Sequence, residues 1–315
     1  MTDALGASDT VPVIMGPTGA GKSAIAMHLA ERYGLAIVSA DSRQIYRGFD
    51  IGTAKPVEAE RQRIPHFGID ILDPTVRYSA HQWSTDADGW IAQARVQGRQ
   101  PLIVGGTGFY VRALVDPLDP TPDLDPTRRA ALASWLNMLD ADALARWCRR
   151  LDPARASLGR TQQLRAVETA LLAGRRISDW PTAETIDPQP PGRVARYLVV
   201  DPGVVLHRRI AQRVDAMVAA GWFDEVRALS AHVPSEAPAW NASGYGRIRE
   251  AVSGERSRES AVERVIIETR QYAKRQRTWC RHQLPIAHVT RVDSNAPDAL
   301  AQACAWWESV EGSQT

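Results

Sequence analysis

Gly16, Pro17, Thr18, Gly19, Ala20, Gly21, Lys22 and Ser23 match the spacing G-x-x-x-x-G-K-[ST] without a break. That pattern is suited to one task, holding a chain of phosphates. Glycines let the backbone curl so that N–H groups and a helix N-terminus converge on an anion. Lys22 adds a point charge for the terminal phosphates, and the Ser23 hydroxyl is placed to ligate Mg²⁺. The bland alternative is a glycine-rich turn that binds nothing. It is countered by the flanks, because the apolar run Val11 to Met15 reads as a buried strand and Ala24 to Tyr33 as the helix that must follow. A di- or triphosphate ligand is expected.

Further elements are needed to bring a second reactant to that loop. Leu35 to Ser39 reads as a strand delivering Asp41, Ser42, Arg43 and Gln44. Residues 80–97 read as a helix, and Pro101 to Val104 as a strand ending at Gly105-Gly106-Thr107. Alternating strands and helices imply an α/β fold, a P-loop NTPase-like parallel sheet flanked by helices, with its ligand at the carboxyl ends of the strands. The loop at 16–23, Asp41 and Thr107 all fall there. Asp41 is a general base, a Mg²⁺ ligand or simply the N-cap of a short helix. A nucleotide hydrolase would place an acid at the end of a strand, whereas the strand at 102–104 ends in Gly-Gly-Thr. Asp201 could fill that role, but in Asp-Pro-Gly it reads better as a turn former. Support for ATP hydrolysis is weak.

The 315 residues allow a second unit, and at 44% hydrophobic and 23% charged the composition is that of a globular chain. We divide the chain into a first part of the core at 11–126, an all-helical insertion at 127–185, a return to the core at 192–290, and a C-terminal tail or helix at 291–315. Proline-rich connectors at 116–126 and 187–191 set off the insertion, and Arg196 to Val200 reads as a strand re-entering the sheet. After it, helices are expected at 204–231, about 245–253 and 258–282. Cys148, Cys280 and Cys304 match no zinc spacing and suit a reducing cytosol, and the histidines share no metal spacing. No leader and no membrane span is visible, so a cytoplasmic protein is expected.

A formal net charge of +2 confines any nucleic-acid surface to a local patch. One candidate exists. Six basic residues between 264 and 281 face a single acid, Glu268. On a helix Arg270, Lys274, Arg277 and Arg281 share a face, interleaved with Gln and Tyr, a pattern that suits phosphates along a nucleic-acid backbone better than a merely solvated face. Trp240, before Asn-Ala-Ser-Gly-Tyr, could stack on a base, although packing fits it better.

Four stretches in order, GPTGAGKS (16–23), DSRQIYRGFDIGTAKP (41–56), GGTGFYVRAL (105–114) and TRQYAKRQRTWCR (269–281), resemble the tRNA dimethylallyltransferase family, also called tRNA isopentenyltransferases. The resemblance runs from about residue 11 to 290. It implies transfer of a five-carbon prenyl group from dimethylallyl diphosphate to N6 of the adenosine at tRNA position 37, just 3′ of the anticodon. It implies further that residues 16–23 hold a prenyl diphosphate, with Lys22, Thr18, Ser23 and Mg²⁺ stabilising departing pyrophosphate. Asp41 would accept the N6 proton, and Asp41, Ser42, Arg43 and Gln44, with Thr107, would bind the adenine. The insertion would clasp tRNA through Arg129 and Thr161, Gln162, Gln163, Leu164 and Arg165. Lys274, Arg275, Gln276, Arg277, Thr278, Trp279, Cys280 and Arg281 would grip the anticodon stem-loop, the chain acting as a monomer. The segment at 161–165 departs from the family pattern, an arginine being lost or moved to Arg160, and the Gly244-Tyr245 segment lacks its usual basic flank, with Arg247 displaced by one position. Two other readings use only part of this set. A small-molecule P-loop kinase leaves the basic helix unexplained, and a nucleotide-regulated RNA-binding protein leaves Asp41 to Gln44 idle.

Overall fold

In the computed structural model, residues 10–116, 122, 124–180 and 193–312 are described. The chain divides into two compact units, residues 1–116 with 192–315, and residues 117–191. The proline-rich stretch at 187–191 and the end of the expected insertion at 181–185 lie outside the described residues.

The larger unit is built on a six-stranded sheet in the order β3-β2-β4-β1-β5-β6, every pairing parallel. Its strands are β1 (Thr10–Met15), β2 (Ala36–Ala40), β3 (His66–Phe67), β4 (Pro101–Gly105), β5 (Val194–Val200) and β6 (Val289–Val292). The central strands β1, β2 and β4 are buried at every residue, as expected of strands covered on both faces. Pro12 sits within β1, but pairing with β4 begins only at Val13, so its missing N–H removes no rung there.

Helix α1 (Lys22–Tyr33) follows β1, α2 (Glu58–Arg63) and α3 (Ala80–Val96) follow β2 and β3, and α4 (Gly108–Val115) follows β4. Ser79 and Gln82 cap α3 reciprocally, which fixes its start. In the smaller unit α5 (Pro126–Met138), α6 (Ala141–Leu151) and α7 (Arg160–Ala173) pack around Leu136, Leu144, Cys148 and Val167. Buried Asp152 accepts hydrogen bonds from Ser178, pinning the short turn that follows α7.

Where a single helix over 204–231 was expected, there are two, α8 (Leu206–Ala219) and α9 (Trp222–Ser230). Gly221 divides them at φ +96°, a left-handed conformation that no helix interior adopts. Then come α10 (Tyr245–Val252), α11 (Arg258–His282) and α12 (Ala299–Glu311). Of the tail or helix expected at 291–315, the helix forms as α12. β6 extends the sheet beside β5, and Trp306 and Trp307 of α12 pack with Leu29 and Ala30 of α1 in the core beneath it. A second core gathers Phe49, Trp222, Trp240 and Tyr245.

Candidate active site

The anion loop is formed as its residue types require. Gly16 lies at φ +149°, and a Cβ there would stand 2.1 Å from the Val200 carbonyl oxygen, so β5 leaves room only for glycine. Gly21 caps α1 with no side-chain partner. The amides of Gly19, Gly21, Lys22 and Ser23 have no protein acceptor among the described residues. Donors aimed into a cleft at a helix N-terminus form an anion cradle. Lys22 Nζ donates to the carbonyls of Gly16 and Pro17 at 3.0 and 2.9 Å, holding the ammonium across the loop. Burial lowers its pKa from the ordinary 10.5 to about 8, Asp41 opposing that shift and Arg213 reinforcing it.

The carboxyl end of β2 delivers Asp41. Its Oδ1 accepts the Arg43 N–H at 2.8 Å, and the other carboxylate oxygen takes no hydrogen bond among the described residues. No helix follows, so Asp41 caps a turn rather than a helix. Thr107, at the end of β4, accepts the Ser42 N–H at 3.1 Å and donates its own N–H to the Ala40 carbonyl at 3.2 Å. The two strand ends are thereby tied together. Tyr272 of α11 stands nearby, its hydroxyl raised to about 12 by burial and by Asp41, hence a neutral donor at physiological pH.

Gln44 is tied into the scaffold beside the cavity. Its amide N–H groups go to the Thr53 and Ala54 carbonyls, and its Oε1 accepts from Ser39. Its amide thereby braces the turn while the side chain lines the cavity. Ala54 and Asp70, both at positive φ, lie on this support, which Lys55 completes by donating to the Tyr46 carbonyl, Asp50 and Asp70. A buried lysine satisfied by two carboxylates and a carbonyl makes a rigid brace.

These elements surround one cavity of about 330 Å³, lined by Thr18 to Ser23, Asp41, Arg43, Gln44, Arg213 and Gln276. Arg213 was missed in the sequence, where it is one basic residue of several on α8. Here it faces Asp41 and Lys22, burial lowering its pKa and Asp41 opposing. Gln276 was expected on a stem-loop surface and is instead buried. Its Oε1 accepts the Thr18 N–H at 2.8 Å and its Nε2 donates to the Gly106 carbonyl at 2.9 Å, joining α11 to the anion loop and to β4.

The basic helix divides in the same way. Arg277 pairs with Asp201 and donates to the Gly203 carbonyl at 2.5 Å, and Arg270 donates to the His207 carbonyl at 3.4 Å, so both serve the core. Asp201 also accepts the Gly203 N–H at 3.0 Å, as its turn-forming context implied. Cys280 is buried, its thiol raised to about 11 by burial. Lys274, Arg275, Thr278 and Arg281 are exposed, and Arg275 lies 5.6 Å from the Tyr272 ring. Lys274, Arg275, Thr278 and Trp279 line a shallow groove of about 370 Å³ with His282. Trp240 is packed, its indole N–H on the Pro234 carbonyl and Arg249 over its ring.

In the smaller unit, Arg129 and Arg165 both bind the buried Glu168, at 2.8 and 2.9 Å, so each has a structural role there. Arg160 donates to the Leu139 carbonyl at 2.8 Å at the end of α5, and Gln163 to the Ala156 carbonyl at 2.7 Å. Leu164 packs against the unit's core, whereas Thr161 and Gln162 are exposed. Arg247 pairs with Glu250 and Glu268 in the larger unit. No group of histidine, cysteine, aspartate and glutamate able to hold a metal occurs among the described residues, and none of their helices is long and apolar enough to cross a membrane.

The family model described as IPP transferase matches residues 44–283, and the one described as isopentenyl transferase matches residues 9–68. A tRNA dimethylallyltransferase of Halorhodospira halophila is 44% identical over 296 residues, spanning 90% of this chain and 94% of that protein. Its counterpart in Chromohalobacter salexigens is 40% identical over 317 residues, 98% of this chain and 100% of its own. Among solved structures, a tRNA isopentenylpyrophosphate transferase from Bacillus halodurans superposes with a TM-score of 0.67 at 30% identity, covering 97% of this chain and 98% of its own. A eukaryotic dimethylallyltransferase acting on tRNA gives 0.73 at 25%, covering 95% and 78%. With an anion loop, an unpaired carboxylate oxygen and a neutral tyrosine around one cavity, and with relatives matched along nearly their whole length, the chain belongs to the tRNA dimethylallyltransferase family of prenyl-transferring enzymes.

Proposed function

We propose that the chain transfers a dimethylallyl group from dimethylallyl diphosphate to N6 of the adenosine at position 37 of tRNA. The observation that carries this reading is the Asp41 carboxylate oxygen, without a hydrogen-bond partner among the described residues, in the cavity that also holds the anion loop. In the reaction the N6 lone pair attacks the allylic carbon, the carbon–oxygen bond to the diphosphate breaks, and the N6 proton leaves to Asp41. An exocyclic adenine amine is a poor nucleophile, so positioning matters as much as basicity. The loop amides, Lys22 and Arg213 would take up the charge that grows on departing pyrophosphate. The base must leave the anticodon-loop stack to reach such a cavity.

Mg²⁺ suits the same loop. The Ser23 hydroxyl lines the cavity and makes no hydrogen bond among the described residues, a hard oxygen donor beside the place where diphosphate oxygens would lie. Ser23 would hold the ion, which supplies charge neutralisation when bound. Incubation with unmodified tRNA, dimethylallyl diphosphate and Mg²⁺, followed by nucleoside mass spectrometry, tests the reading. One prenyl group gained on adenosine is the expected product. ATP turnover without that product would favour a kinase instead.

The groove beside α11 is proposed to meet phosphates of the anticodon stem-loop, with Thr161 and Gln162 of the smaller unit as further contacts. Lys274→Ala and Arg275→Ala should each flatten the salt dependence of tRNA binding by about 0.7–1 in the log–log slope. Arg277→Ala should leave that slope unchanged, because its guanidinium is committed to Asp201. Titrations of tRNA binding at several salt concentrations check both statements, and an equal loss in all three variants would contradict them.

A further inference from the structure

The cavity is lined by charged side chains, among them Asp41, Lys22 and Arg213, and by apolar ones, Val214, Met217, Trp222, Ala242 and Val265. Arg213 and Met217 lie four residues apart on α8, a rise of about 6 Å along its axis. A donor whose diphosphate sits at the anion loop would lay its prenyl group against these apolar residues, Trp222 among them.

That indole is held from several sides. Trp222 is 1% exposed. A Cβ on Gly52 would come within 2.3 Å of the ring, and one on Gly244 within 2.4 Å, so two backbones lie directly against it. Tyr245 meets it edge-on at 5.4 Å. The Tyr245 hydroxyl accepts the Gly52 N–H at 3.1 Å and donates to Glu225 at 2.6 Å, and Glu225 also accepts the Ile51 N–H at 2.7 Å. The ring cannot swing aside unless the 50–52 turn and the start of α10 move with it. Close-packed walls of this kind do not yield to a longer ligand.

We infer that Trp222 is the end wall that sets prenyl chain length, admitting a five-carbon donor and excluding a ten-carbon one. The inference rests on the prenyl-diphosphate reading of the site. It concerns shape, and the ring's own polarity offers a control. The indole N–H has no hydrogen-bond partner among the described residues, so Trp222→Phe removes a donor while keeping an aromatic wall. Trp222→Ala removes the wall itself.

The experiment measures kcat/KM for dimethylallyl and geranyl diphosphate with tRNA as acceptor, in the wild type and in both variants, after thermal unfolding has shown each to be folded. Trp222→Ala should raise the geranyl-to-dimethylallyl ratio about 100-fold, since each added methylene in an apolar pocket is discriminated by roughly 10–200-fold. Trp222→Phe should move it less than about tenfold. A folded Trp222→Ala that keeps its activity with an unchanged ratio overturns the inference. Should Trp222→Ala fail to fold, Trp222→Leu shortens the same wall, and an unchanged ratio in that folded variant overturns it equally. A wild type with no activity on dimethylallyl diphosphate would instead refute the underlying donor reading, which the wild-type arm reports by itself.

Discussion

Asp41→Asn should lower the single-turnover rate of prenyl transfer by about 10²–10⁴-fold while leaving tRNA affinity unchanged. The substitution is chosen for what it preserves. Asp41 Oδ1 accepts the Arg43 N–H at 2.8 Å, a bond the asparagine carbonyl can also accept, so the turn carrying Ser42 and Arg43 keeps its shape. Removed are the negative charge and the unpaired oxygen that would receive the N6 proton. Positioning by Thr107, which accepts the Ser42 N–H, is untouched. Rapid-quench turnover at saturating donor, set beside fluorescence anisotropy with labelled tRNA, separates chemistry from binding. Normal turnover would make Asp41 a turn residue only. A parallel loss of tRNA affinity would make it a binding group.

The anion loop could be read in the sequence because everything that forms it is local. Strand, loop and helix occupy residues 10 to 33 without interruption, and the glycines are dictated by backbone geometry. Long-range features were less legible. β3 has two residues and β6 only four, too short for a period-2 pattern to show, and each is defined by its neighbour in the sheet. Arg213 could not be told from Arg208 and Arg209, because selecting one requires knowing which face of α8 meets the cavity. On α11, at about 100° per residue, Arg270 and Arg277 lie near 0° and −20°, and Lys274 and Arg281 near 40° and 20°. All four do share a stripe. It runs along the margin of the helix, and a few tens of degrees decide that Arg277 pairs with Asp201 while Lys274 reaches solvent. Gln44 and Gln276 read in the sequence as substrate contacts. Gln44 bonds within its own turn, to the Thr53 and Ala54 carbonyls, whereas Gln276 bridges Thr18 and Gly106, groups far from it in sequence that only the topology brings together.

Lys22→Met should lower kcat/KM for dimethylallyl diphosphate about 10³-fold, in the range found when one donor to a developing anion is removed. Methionine spans a similar length, so the cavity stays filled while the charge across Gly16 and Pro17 is lost. A second consequence concerns pH. With its pKa lowered to about 8 by burial, the free site holds a charged Lys22 below that pH and loses the proton as pH rises through it. The donor's terminal phosphate has already ionised by then, its second pKa lying near 6. Above about pH 8 the ligand must therefore bring a proton with it, and its affinity should fall towards tenfold per pH unit until Lys22 of the complex also titrates. The direction follows from which form binds: charged lysine favours the diphosphate, so alkaline pH weakens binding and mildly acidic pH does not. Donor affinity measured by calorimetry from pH 7 to 10 should decline in the wild type and run flat in Lys22→Met. A flat wild-type profile would remove Lys22 from the diphosphate site. A decline that survives in Lys22→Met would assign the titration to another group.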